Sequence, residues 1–192
     1  MHLKGCAILV ALLGSCAAIA AQPQYTNTSC ALEGKPGSDY LGTLTVATPV
    51  TVLQKKADFV RVRVSGWTLQ EFPTQIFKDA NVRIEYAGLD EEDAVKIDNK
   101  SVVTIADNPW AKASVEGWIP ASALTSDVKT LWSAGEARLG QACASCHGAP
   151  AANHFTANQW ASQLPERGGR TGHSRAGANA LMFKYLQEQA KP

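Results

Sequence analysis

Hydrophobic positions in this chain change their spacing near Ser126. Before it, from about Tyr40 to Leu124, apolar residues come in short runs with turn residues between them. Leu44 and Val46 form one run and Val50, Val52 and Leu53 another, separated at Thr48-Pro49. Phe59-Val60-Arg61-Val62-Arg63-Val64 alternates strictly up to Ser65-Gly66, and Val82, Ile84 and Tyr86 alternate again. A period of two over four to eight residues is that of a half-buried strand. Val115 to Pro120 closes the series, with Gly117 placed to allow a tight bend before Trp118 as a buried aromatic. Many short strands of this kind predict a small closed β-barrel. Leu89 to Lys100, acidic at its start, is predicted to be a surface insertion.

After Ser126 the period becomes helical. Val128, Leu131, Trp132, Leu139, Ala142 and Cys143 share a face, with Ser126 as the expected N-cap. A second helix is predicted from Ser174 as cap and from the stripe of Ala178, Leu181, Met182, Tyr185 and Leu186. A long loop containing Gly and Pro separates the two. Two short helices in a segment of this size bury little apolar surface unaided. Something other than side chains must complete that core.

The amino terminus is expected to lie outside the fold. Met1-His2-Leu3-Lys4 is a short basic start, and Gly5 to Ala21 is an apolar run ending in small residues. That is the pattern of a secretory signal, with cleavage expected near Ala18-Ile19-Ala20. Leu13-Gly14-Ser15-Cys16 also resembles a bacterial lipobox, which would make Cys16 a lipid-bearing first residue. The run is shorter than the roughly 20 residues a spanning helix needs. The expected division is a signal over 1–21, a β-barrel domain over 22–125 and a helical domain over 126–192.

Composition narrows the function classes. The 192 residues carry a formal net charge of +1, with 45% hydrophobic and 18% charged residues. A near-zero charge argues against a nucleic-acid binder, which needs a basic footprint. The β region holds no catalytic constellation. Without the leader, Cys30 is left beside the close pair Cys143 and Cys146. Cys30 is expected to be an unpaired thiol in a mobile leader segment.

Cys143-Ala144-Ser145-Cys146-His147 is the c-type haem attachment motif. Two thiols three residues apart at a helix end reach the two vinyl groups on one haem edge, and the next residue places an imidazole under the iron. A redox disulfide does not require the adjacent His, and a zinc site needs more ligands at close spacing. One covalent haem c on Cys143 and Cys146, with His147 as proximal ligand, is therefore the expectation. A buried porphyrin would also complete the missing core.

The run from Cys143 to Trp160, including His154-Phe155-Thr156-Ala157-Asn158-Gln159-Trp160, resembles the carboxy-terminal domain of the TorC-type pentahaem cytochromes. The similarity continues in Lys184-Tyr185-Leu186-Gln187. It reaches back through Gly42-Thr43-Leu44, Val62 to Trp67 and Glu116-Gly117-Trp118. The resemblance implies an α+β fold, a small SH3-like β-barrel followed by a small helical class-I-like cytochrome c domain. It implies a periplasmic electron carrier, not an enzyme, that serves a molybdenum reductase of the trimethylamine-N-oxide class and is fed by an upstream electron donor. No second Cys-x-x-Cys-His occurs here, so the expectation is a free-standing terminal haem unit without the tetrahaem part. A membrane would be involved only through a lipid anchor. The alternative is a haem-based redox or gas sensor whose barrel binds a partner protein.

The chain departs from related small cytochromes on the distal side. The position where a Met commonly follows the Trp is Arg167, and Gly168-Gly169-Arg170-Thr171-Gly172-His173 comes next. His173 is the first candidate for the sixth iron ligand. Met182, which sits on the helical stripe, and His154 are the alternatives, and an open site remains a further one. Trp160 either packs on the porphyrin or is an ordinary core residue. Arg167, Arg170 and Arg175 are candidates for pairing with haem propionates, or form a solvated basic loop. From Asp127 onward there are seven Lys/Arg against four Asp/Glu, and from Gln22 to Ser126 ten against thirteen. Opposed charge of this kind would orient the haem edge toward an acidic partner.

Overall fold

The computed structural model describes residues 23–143, 148–164 and 176–192. Ten antiparallel strands come first: β1 (Gln24–Thr26), β2 (Cys30–Lys35), β3 (Ser38–Leu44), β4 (Pro49–Lys56), β5 (Phe59–Leu69), β6 (Gln75–Asp79), β7 (Val82–Leu89), β8 (Lys96–Ile105), β9 (Asn108–Pro120) and β10 (Leu124–Thr125). Three α-helices follow: α1 (Val128–Cys143), α2 (Ala157–Gln163) and α3 (Ala180–Glu188). The class is α+β. One sheet runs β10-β1-β4-β5-β6-β7-β3-β2-β9-β8, and an added β5–β9 pairing joins six of these strands into a ring.

Alternation along the strands decides what the ring encloses. Val60, Val62 and Val64 of β5 point inward with Val115 and Ile119 of β9, Leu32 of β2, Leu44 of β3 and Ile84 of β7. All are nearly inaccessible. The β5–β9 ladder is unbroken from Phe59↔Pro120 to Leu69↔Trp110, so every second residue on these strands faces out. Ala106 and Asp107, both at positive φ, make the two-residue turn that closes the β8–β9 hairpin.

Several expectations are corrected. Ser65-Gly66 does not end β5, which continues to Leu69. Gly66 is needed because a Cβ there would lie 2.1 Å from the Phe77 carbonyl oxygen, so it marks a close approach of β6. Gly117 likewise makes no bend. It leaves room for the Leu32 side chain, and Trp118 is only half-buried. The acidic segment is not an insertion throughout: Leu89 and Val95 are buried, and Lys96 onward is a strand paired to β9. Cys30 is not in a mobile leader. It opens β2 opposite Leu44, and its half-buried thiol is pushed up to about 11 by desolvation.

The helices pack as a second layer. Asp127, not Ser126, caps α1, since its carboxylate accepts from Thr130 N–H and Thr130 Oγ1. The sequence pattern missed α2. Thr156 and Gln159 form a reciprocal capping box there, each side chain accepting from the other's backbone N–H. Gly135 lets α1 cross α3 closely, because a Cβ would sit 2.7 Å from that of Tyr185. Ser174, the expected cap of the last helix, lies outside the described residues.

Candidate functional site

Cys143 is the last residue of α1. It is half-buried and packs on a second apolar cluster made by Leu139, Trp160, Leu164, Met182 and Leu186. Three helices contribute to this wall: α1 through Leu139, α2 with the residue after it through Trp160 and Leu164, and α3 through Met182 and Leu186. Phe155 stands edge-on to Trp160 at 4.9 Å and 88°. The Trp160 indole N–H donates to the Ala152 carbonyl at 2.8 Å, so its one polar atom is satisfied by the chain. A thiol at a helix end against an apolar wall suits a flat apolar group held covalently. The residues present therefore fit a haem.

The other expected site residues are distributed unevenly. Cys146, His147 and His173, together with Arg167, Arg170 and Arg175, lie outside the described residues. His154 ends a short 3-10 turn, is exposed, and stacks edge-on with Phe155 at 4.5 Å. Met182 is 1% exposed inside the apolar cluster. Among the described residues, no three of His, Cys, Asp or Glu are grouped to hold a metal ion. Nor is any described helix long and apolar enough to cross a membrane.

Sequence reading did not find the polar seam that joins helices to sheet. Asn158 donates to the Asn81 carbonyl at 2.8 Å and accepts from Arg83 N–H at 2.7 Å. Gln187 donates to the Arg83 carbonyl at 2.7 Å. Lys184, only 4% exposed, donates to Thr45 Oγ1 at 2.9 Å and to the Glu85 carbonyl, with its ammonium 4.9 Å from the Tyr86 ring centre. Burial pushes its pKa down to about 7, against the pull of Glu188 and Glu85. Lys184 occupies a position that looks, by charge, like the solvated side of α3. The sequence signal was the helical period itself, which puts residue 184 beside Gln187 and away from Tyr185.

A β-sheet ring followed by helices, in a chain whose one Cys-x-x-Cys-His motif begins at the last residue of α1, places the protein among relatives of the c-type cytochromes. Residues 5–124 match the family described as the TorC third cytochrome c domain, and the chain belongs to that family. It is 29% identical over 157 residues to the cytochrome c-type protein TorC of Escherichia coli strain K12, covering 78% of this chain and 39% of that one. To the cytochrome c-type protein TorY of Escherichia coli O157:H7 it is 31% identical over 153 residues, covering 79% and 41%. TorY of Haemophilus influenzae is 29% identical over 136 residues, 70% of this chain and 37% of that one. The chain thus spans about two fifths of the curated relatives it matches. No solved structure matches it. The family match stops before α1 and so rests on the strands. The TorC alignment reaches further. Seventy-eight per cent of 192 residues is about 150, and a continuous stretch of that length includes residues 143–147 wherever it begins.

Proposed function

We propose that the protein is an exported, periplasmic monohaem c-type cytochrome, carrying single electrons to or from a molybdopterin N- or S-oxide reductase. The observation that carries this reading is Cys143, which opens the Cys-x-x-Cys-His motif at the end of α1 and packs on the three-helix apolar wall. Residues 22–125 act as an SH3-like barrel, for which the six-strand ring is the support. Residues 126–192 act as a class-I-like haem domain.

Haem supplies a one-electron couple when bound. Cys143 and Cys146 would hold it through thioethers, and His147 would offer the proximal imidazole. Leu139, Trp160, Met182 and Leu186 would exclude water, which limits reorganisation during electron transfer. His173 is the proposed distal ligand, with Met182 and His154 as alternatives. Met182 serves the wall as an apolar side chain in any case.

The test is reoxidation of the reduced protein by a purified trimethylamine-N-oxide reductase with its substrate present. Oxidation dependent on both enzyme and substrate supports the reading. A haem that stays reduced with the active reductase and substrate contradicts it.

A further inference from the structure

Residues of β5, β9 and β8 that do not point into the ring form one outer strip. Arg61 and Arg63 lie on β5, Glu116 and Lys112 on β9, and Lys96 on β8, aligned by the pairs Arg63↔Glu116, Trp67↔Lys112 and Lys96↔Ser114. Glu116 is already committed: Arg63 and Arg61 hold its carboxylate at 2.7 and 2.9 Å, and the Arg63 hydrogen bond, helped by the charges of Lys96, Arg63 and Arg61, keeps its pKa below the usual range. Lys96 stays 69% exposed, its nitrogen 3.8 Å from the same carboxylate. The Lys112 ammonium stands 5.8 Å over the half-buried Trp67 ring. Between them is a shallow depression of about 460 Å³, lined by Ser65, Trp67, Lys96, Asp98, Lys112 and Ser114.

The charge of this strip opposes its surroundings. Ten bases and thirteen acids lie between residues 23 and 125. Four of those bases but only two acids, Glu116 and Asp98, are on the strip. The rest of the β part is left with six bases against eleven acids. The strip is also placed usefully. Trp67 pairs with Phe77 and Phe77 with Glu85, whose carbonyl receives the Lys184 bond from α3. Leu69, two residues beyond Trp67 on β5 and so on the same face, lines one cavity with Phe77, Glu85 and Trp110 of the sheet and with Phe183 and Lys184 of α3, which puts the strip and the helices on neighbouring parts of the outer face.

We propose that this strip is the docking surface for an acidic protein partner, the redox partner of the haem helices. The proposal rests on the electron-carrier reading above. Carboxylates of the partner would be received in the depression by Lys96 and Lys112, with the Trp67 ring giving an apolar floor. Steering by such a patch acts mainly on the association rate and weakens with salt.

The experiment uses the haem-loaded full chain and the double variant Lys96→Glu with Lys112→Glu. Lys55→Glu with Lys56→Glu, exposed on β4 outside the strip, is the control. At low ionic strength the strip variant should slow the second-order electron exchange with the reductase about tenfold or more, and the control should change it little. The unaltered rate should fall with added salt, and that of the strip variant should not. Equal rates and equal salt dependence for unaltered protein and strip variant would overturn the proposal. An octaglutamate peptide, followed by NMR at the Trp67 indole and Lys112, separates the two ideas. If the reductase exchanges no electrons with the unaltered protein, the carrier reading fails and the peptide decides the surface. Shifts at Trp67 and Lys112 that disappear in the strip variant support it, and shifts absent from both proteins, or equal in both, reject it.

Discussion

Lys184 and Thr45 are 139 residues apart in sequence and share a hydrogen bond of 2.9 Å, from the lysine ammonium to the threonine hydroxyl. This bond fastens α3 to the sheet at a buried point, where Lys184 is only 4% exposed. Burial of the ammonium there, not the bond itself, gives the protein a particular pH profile. Below about pH 7 the lysine is charged in both the folded and the unfolded chain, and it adds no pH dependence. Between about 7 and the ordinary value of 10.5 the unfolded chain holds a proton that the folded one has released. Stability should therefore rise with pH in that window, by at most ~1.4 kcal/mol per unit.

Two other groups close the window from above. Cys30, raised from 9.0 to about 11, and Tyr86, raised by burial, both keep protons longer in the fold than in the unfolded chain. Their stabilisation is lost as pH climbs past 9 and then 10. Denaturant melts from pH 6 to 11 should show a maximum between pH 9 and 10. Lys184→Met should flatten the rise between 7 and 9, and an unchanged rise would show that another group causes it.

The close crossing of α1 and α3 depends on Gly135. Gly135→Val would press a branched side chain against Tyr185 Cβ and the Leu181 carbonyl. Overpacking of this kind costs ~1–3 kcal/mol. The expected result is a lower thermal midpoint for the haem-bearing helices, read at the Soret band. Far-UV circular dichroism should report the β content unaltered at low temperature.

How much of this was legible in sequence depended on whether the cause was local. The alternation of Val60, Val62 and Val64 gave β5 and its inward face, and the spacing of Leu139, Cys143, Met182 and Leu186 gave the helical wall. Gly66 and Gly117 look like punctuation in the sequence, because the strands that approach them, β6 and β2, come from elsewhere in the chain. The capping box of α2 is legible in Thr156-Ala157-Asn158-Gln159, although that stretch falls in the segment expected to be loop. At the site, Cys143 was legible from its motif. The burial of Lys184 was not, since its acceptors come from β7 and from the segment after β3.

Gly66 offers a test of the long-range cause. Gly66→Ala would place a methyl group 2.1 Å from the Phe77 carbonyl oxygen and 2.8 Å from Ile76 Cγ2. Backbone cannot yield as a side chain tip does, so β6 must separate from β5. A loss of several kcal/mol or failure to fold is expected in denaturant titration. Ser65→Ala, on the outward side of the same strand, should change stability by less than about 0.5 kcal/mol.

The sixth ligand can be read from spin state. His173→Ala should convert a six-coordinate low-spin haem into one that binds carbon monoxide readily. Met182→Leu keeps the volume of a side chain that is 1% exposed and should leave the spectrum unaltered. The reverse pattern would transfer the role to Met182. Low-spin haem in both variants would direct attention to His154.

Covalent attachment of haem is the claim on which the rest depends. The most direct measurement is acid–acetone extraction of protein matured by a cytochrome c assembly system, followed by a pyridine haemochrome spectrum of the precipitate. The haem should stay with the unaltered chain and be lost from the Cys143→Ala, Cys146→Ala variant. Haem that extracts freely from the unaltered protein would contradict it.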